Sequence, residues 1–322
     1  MSKTAELGAL FGVAFKRAVE IPLPEKLPNM LVPEAHDHEF DADTVKLMFA
    51  WDTGALPRKN LLLNGPTGSG KSSLIEQYAA RMNREVIRVG CHGRMEFQDL
   101  IGSQKLTRDD QGAVVTSYQD GPLVMAMRRG AILLLDESNF LSPAVVGGLN
   151  GVLDEAPLMN SDTGELIRPA AGFRIAATGN AVDGGADSAD FRGTQRQNIA
   201  LLDRYIAVEV DYMSPTSEAK ILHKAVGNLT GEVIDLMIRV ANEVRASYKQ
   251  RAVGVTLSTR VLISWGSLID KFSGGAKGEE LLAEIKKTLG YALLNRANPD
   301  DRYVVGGLLE RCWAGGAPPP IK

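Results

Sequence analysis

Residues 65–72 read GPTGSGKS, and they constrain this chain more than any other stretch. They fit G-x-x-x-x-G-K-[ST]. The apolar run LLLN (61–64) precedes them and the helical pattern SLIEQYAARM (73–82) follows. In that pattern Leu74, Ile75, Tyr78, Ala79 and Met82 share one face. Strand, glycine-rich loop and helix together make a phosphate cradle. The loop residues Gly65, Pro66, Thr67, Gly68, Ser69 and Gly70 let the backbone curl so that its N–H groups face phosphate oxygens. The helix N-terminus adds partial positive charge. Lys71 is placed to reach the β- and γ-phosphates of ATP, and Ser72 to offer a hydroxyl to Mg²⁺, with Ser73 next in the first turn.

A cradle of this kind needs a parallel sheet, and the chain supplies one. Four further short apolar runs recur: VIRVG (86–90), AILLLD (131–136), FRIAATG (173–179) and YIAVEV (205–210). Each is bounded by polar or glycine-rich residues, as strands buried on both faces are. Their alternation with helical patterns predicts an α/β fold with helices on both sides. From about residue 212 the strand signal ends. Ser214-Pro215 opens a helix running to Gly227. Three apolar stripes follow: Val233, Leu236, Met237, Val240, Val244; then Val261, Leu262, Trp265, Leu268, Ile269, Phe272; then Leu281, Leu282, Ile285, Leu289, Leu293. They predict a smaller helical C-terminal domain with these side chains in its core. The expected division is an N-terminal strap (1–38) with four prolines in 21–34, an α/β nucleotide-binding core (39–211), a helical domain (212–313) and a tail (314–322).

The chemistry needs a carboxylate at the end of a neighbouring strand. Asp136 closes AILLLD and is placed to hold Mg²⁺, mostly through water; Glu137 follows and is placed to polarise an attacking water. A P-loop kinase needs no second acid there, so the pair favours hydrolysis. Asn180, ending FRIAATGN, is positioned to hold that water against the γ-phosphate.

Composition narrows the partners. With 322 residues, 44% hydrophobic, the chain can bury a sizeable core. A net charge of -3 supplies no global field for nucleic acid or an anionic membrane. Two cysteines, Cys91 and Cys312, make no disulfide framework, and no apolar run approaches membrane-spanning length. The expectation is a soluble cytoplasmic protein. His36, His38 and His92 lack the convergent spacing of a zinc site.

These motifs resemble the AAA+ ATPases: Walker A at 65–72, Walker B at 131–137, sensor 1 at Asn180, LDRY at 202–205 and LSTR at 257–260. Within them DGPLVMAMRRGAILLLDESNFLSPAVVGGLNGVLDE (120–155) is similar to the MoxR group. LFGV near residue 10, FDADTVKLMFAW, IEQYAARMNREVIRVGC and the GTQ…DRY stretch are similar to the CobS-type subunit of aerobic cobaltochelatase. The resemblance implies a homo-oligomeric ring, a hexamer by analogy, and a partner with a von Willebrand A domain. It implies that Arg204 enters the neighbouring subunit's ATP site, where a guanidinium fork suits phosphate. The competing reading is a local ion pair of Arg204 with Asp203 or another acid. Arg192 and Arg196 become inter-subunit candidates. Arg260 matches sensor 2, although a cation at a helix start opposes the dipole. Two hairpin insertions are implied, one around DDQG and one around NSDTGELI (160–167), with Lys105, Arg108 and Tyr118 as pore or partner contacts; a solvated hairpin is the equal alternative.

The leading expectation is a ring-forming Mg·ATP motor acting on a protein. A nucleic-acid motor is the alternative, disfavoured by charge. A P-loop small-molecule kinase is a third class; it would work as a monomer without Arg204.

Overall fold

The computed structural model describes residues 3–27, 29–108, 112–180 and 199–315. The chain divides into two compact units, Met1–Pro66 with Lys71–Val210 and Thr67–Gly70 with Asp211–Lys322.

The first unit opens with a small antiparallel pair, β1 (Lys3–Glu6) and β2 (Glu20–Leu23), joined through α1 (Leu7–Phe11). Beyond Leu23 the described residues run without helix or strand to Asp41, as the prolines require. Asp41 caps α2 (Ala42–Asp52), its carboxylate accepting the N–H groups of Asp43 and Thr44. Then come β3 (Asn60–Gly65), α3 (Lys71–Arg81), β4 (Val86–Gly90) and α4 (Phe97–Ile101). An exposed hairpin follows, β5 (Gly102–Arg108) with β6 (Val114–Asp120). Next are α5 (Pro122–Arg129), β7 (Ile132–Asp136) and α6 (Pro143–Leu153). Ser142 caps α6 and Pro143 fills its first position. A two-residue ladder, β8 (Leu158–Met159) with β9 (Leu166–Ile167), precedes β10 (Arg174–Asn180), α7 (Ile199–Leu202) and β11 (Tyr205–Glu209).

Five strands form one parallel sheet in the order β11-β3-β10-β7-β4. Successive side chains point to opposite faces. Leu61, Leu63, Ile132, Leu134 and Ala176 therefore join a core that includes Tyr78, Trp51, Leu7, Phe11 and Ile21. Leu62, Leu133, Leu135, Ile175 and Ala177 join the core on the other face with Leu123, Met127 and Leu149. Each leucine fully withdrawn from water contributes about 1.5–3 kcal/mol. The N-terminal residues are thus part of the core: the Phe11 ring stacks on Tyr78 at 5.4 Å and meets Phe40 edge-on at 4.9 Å.

The strands are parallel, so their C-terminal ends share one edge. Asn180 lies opposite Gly65, and Gly90 opposite Asp136. β10 separates β3 from β7, which puts Asn180 between the phosphate loop and the carboxylate. Ligands of open α/β sheets bind at this edge.

The second unit is helical: α8 (Pro215–Ala225), α9 (Gly231–Lys249), α10 (Thr259–Phe272), α11 (Gly278–Ala292) and α12 (Pro299–Ala314). The apolar stripes of α9 to α11 form its core, with Trp265 fully buried. Phe272 departs from the expected core. As the last residue of α10 it is 52% exposed, with its ring 6.3 Å from Tyr291 and Lys287 above it at 5.9 Å. The helix α12 went unread in the sequence, where Gly306-Gly307 interrupts its pattern. Its start carries an ordinary signal, Asn298 capping and Pro299 at the first position. A buried ion pair fixes the unit internally. Arg245 donates to both Glu218 oxygens at 2.8 Å, and the Thr259 hydroxyl donates to the same carboxylate at 2.7 Å.

Candidate functional site

The loop after β3 adopts the conformation its glycines permit. Gly68 and Gly70 sit at φ of +76° and +92°, where a side chain would be strained. Helix α3 begins at Lys71 itself. Its ammonium lies under the loop, donating to the carbonyls of Gly65 (2.9 Å) and Pro66 (2.8 Å) and to Oδ1 of Asn180 (3.2 Å). Burial lowers the Lys71 pKa to about 8, against the upward pull of Asp136 and Glu137.

Asp136 is saturated with donors. Ser72 and Thr178 donate to its Oδ1, the latter at 2.7 Å, and Arg88 donates to its Oδ2, with Nε at 3.1 Å. Burial alone would raise its pKa; the hydrogen bonds from Ser72, Thr178 and Arg88 outweigh this and hold it below the usual carboxylate range. Thr178 has a second task, accepting the Glu137 N–H at 2.8 Å. The Ser138 hydroxyl donates to the Thr178 carbonyl at 3.0 Å. These bonds hold Glu137 in a left-handed conformation, φ +59°, with its side chain exposed. A non-glycine residue there costs about 1–3 kcal/mol and persists only where its surroundings enforce it.

Sequence reasoning missed Thr178 and Arg88, and weighed His38 only as a metal ligand. Thr178 looks like a β-former in an apolar strand. Arg88 leaves a trace, a cation interrupting VIRVG. Nothing local marks the place of His38 beside the loop: its Nδ1 stands 3.4 Å from the Ser73 hydroxyl because Gln77 and Arg81 of α3 tie down the chain at Glu34 and His36. Burial, then Arg81, lowers the His38 pKa to about 4, so its ring is neutral at neutral pH.

The donor set suits Mg²⁺ bound with a nucleotide. Among the described residues no group of three or more His, Cys, Asp or Glu could hold a metal alone. Mg²⁺ with nucleotide needs none, since it takes hard oxygens from one or two side chains and from phosphates. The Ser72 hydroxyl and Asp136 carboxylate, side by side beyond Lys71, are such oxygens.

A family model described as "AAA domain (dynein-related subfamily)" matches residues 60–197. One described as "CbbQ/NirQ/NorQ C-terminal" matches 218–290. An uncharacterized protein of Staphylococcus haemolyticus is 34% identical over 213 residues, 66% of this chain and 78% of that protein. The chain belongs to the AAA family, in its dynein-related, MoxR-type branch. Aerobic cobaltochelatase subunit CobS from Sinorhizobium sp. is 28% identical over 86% of this AAA chain and 81% of its own. A RuvB variant of Thermotoga maritima superposes on 80% of this chain and 69% of its own at 15% identity, with a TM-score of 0.49.

An AAA domain implies nucleotide binding, and the loop, Lys71, Ser72, Asp136, Glu137 and Asn180 all lie at one sheet edge. Arg204 does not. It precedes β11, at the opposite edge, and grips Asp154 through Nε (2.8 Å) and Nη2 (2.9 Å). The acid beside this arginine in space is therefore Asp154. Arg192 and Arg196 lie outside the described residues. Arg260 is exposed on the second unit, the second residue of α10, beyond the Ser258 cap.

The hairpins implied around DDQG and around NSDTGELI (160–167) correspond to β5–β6, over 102–120, and β8–β9, over 158–167. The three proposed contact residues do not form one surface. Arg108 and Tyr118 share a face of the β5–β6 ladder, while Lys105, opposite Ser117, lies on the other. Tyr118 is also half-buried, with its hydroxyl shielded from solvent. That hydroxyl packs at Gly102 (φ +126°), where a Cβ would lie 2.9 Å from it and 2.2 Å from the Gln119 carbonyl. Among the described residues no helix is long and apolar enough to cross a membrane.

Proposed function

We propose that this AAA chain is a ring-forming ATPase that hydrolyses Mg·ATP and uses the cycle to remodel a protein partner. The observation carrying the ring is the position of Arg204. It directly precedes β11, whose first residue Tyr205 lies opposite Asn60 of β3, whereas the phosphate loop leaves β3 at Gly65. Five residues of strand separate the two ends, about 16 Å at ~3.3 Å per residue. Arg204 is thus remote from its own phosphate loop and suited to a site on another copy. The bidentate grip of Asp154 would aim it.

Within one site the roles divide. Lys71 neutralises β- and γ-phosphate charge, and Ser72 and Asp136 hold Mg²⁺, which supplies Lewis-acid stabilisation of the transferring phosphoryl group. Glu137 polarises water, Asn180 orients it, and Arg260 is assigned the sensor 2 role. The partner assigned is a von Willebrand A domain protein, by analogy with chelatase-type assemblies; the CobS relative, a cobaltochelatase subunit, supports a multi-subunit chelatase-type complex.

The test is phosphate release from Mg·ATP as a function of protein concentration. Specific activity should rise as rings assemble. Glu137→Gln should keep ATP binding while turnover falls about 10²- to 10⁴-fold. Full activity in a strictly monomeric chain would exclude the ring.

A further inference from the structure

Arg88 reaches Asp136 from β4, the edge strand of the sheet. Its guanidinium is shared between two acids. Nε and Nη2 donate to Oδ2 of Asp136, and Nη1 donates to Oε1 of Glu76 on α3 at 3.0 Å. The other Asp136 oxygen is taken by Ser72 and Thr178. Oδ2 is therefore the oxygen through which this carboxylate meets other cations, and a guanidinium and a hydrated Mg²⁺ are both cationic donors to it. Like charges on one oxygen repel, so tighter engagement by one weakens the other. Arg88 is half exposed, so it has room to withdraw, and Glu76 offers an anchor when it does.

We propose that Arg88 is a positioning residue that competes with Mg²⁺ for Oδ2 of Asp136, and that Glu76 draws it aside, so that the pair sets the Mg²⁺ concentration at which the site takes up Mg·nucleotide. The inference rests on the Mg·nucleotide reading of the site. It gives the edge strand control over metal loading through residues that touch neither the loop nor Glu137.

The experiment measures equilibrium binding of a fluorescent ADP analogue to the full chain while Mg²⁺ is titrated. Arg88→Gln should lower the Mg²⁺ midpoint about two- to fivefold, the range set by one partly exposed charge pair. Arg88→Lys keeps the charge but loses the fork, and should shift it less, in the same direction. Glu76→Gln should raise the midpoint. In the Arg88→Gln background the Glu76→Gln change should add nothing, because Glu76 acts through Arg88. An unchanged midpoint in Arg88→Gln, or an undiminished Glu76 effect in the double variant, overturns the inference while leaving the site reading intact. If Arg88→Gln does not fold, Arg88→Lys decides: a wild-type midpoint overturns the inference. If the wild-type chain binds the analogue at no Mg²⁺ concentration, the nucleotide reading falls and this inference with it.

Discussion

Arg204 holds Asp154 by two parallel hydrogen bonds of 2.8 and 2.9 Å, at the sheet edge opposite the phosphate loop. A fork-to-carboxylate pair fixes the orientation of the guanidinium plane as well as its position. If that plane serves a neighbouring copy, Arg204→Ala should lose about 10³- to 10⁵-fold in turnover with nucleotide binding retained. Mixing it with Glu137→Gln should restore part of the activity, since intact Glu137 sites then face intact Arg204. No recovery in mixed assemblies, measured by phosphate release, would limit Arg204 to its pair with Asp154.

The hydroxyl of Thr178 joins the two acids of the site, donating to Asp136 and accepting from Glu137. Thr178→Val keeps the shape and removes both bonds. Turnover should fall about 10- to 100-fold, the scale of a small misplacement of catalytic groups. Thr178→Ser should restore most of it, and circular dichroism should show both variants folded.

Lys71, with its pKa lowered to about 8, binds phosphate only when protonated. Raising pH through that value removes the charge, so ADP affinity should fall, approaching about tenfold per pH unit above it. Calorimetry in buffers of different ionisation enthalpy should detect proton uptake on binding at pH 8.5 and little at pH 7. Lys71→Arg, which does not titrate, should show no such uptake.

In the second unit, Glu218 is fully buried against Arg245. Glu218→Leu strands a buried cation and should cost about 3–5 kcal/mol in a denaturant titration. Adding Arg245→Met should recover much of the loss. Additive losses would show that packing, not charge, dominates there.

The five strands of the sheet were legible within a residue at each end, because a strand buried on both faces must be apolar throughout and loops must interrupt it. Lys71, Ser72, Asp136 and Glu137 were legible for a related reason: a phosphate loop and a strand-end carboxylate each need fixed residue types at fixed local spacing. Helix α12 was less legible, since its glycines blur a periodicity that packing against α9 and α11 restores.

Contacts across distant sequence were settled only by folding. Nothing in FRIAATGN marks Thr178 as the bridge between two acids; parallel register sets β10 beside β7 and brings them within a hydrogen bond. Nothing in LDRY names Asp154, fifty residues earlier, as the partner of Arg204. Local sequence determined which chemistry this protein carries, because motifs are written in neighbouring residues. Tertiary structure decided which side chains hold that chemistry in place, because strand order and register are set by burial of the whole sheet.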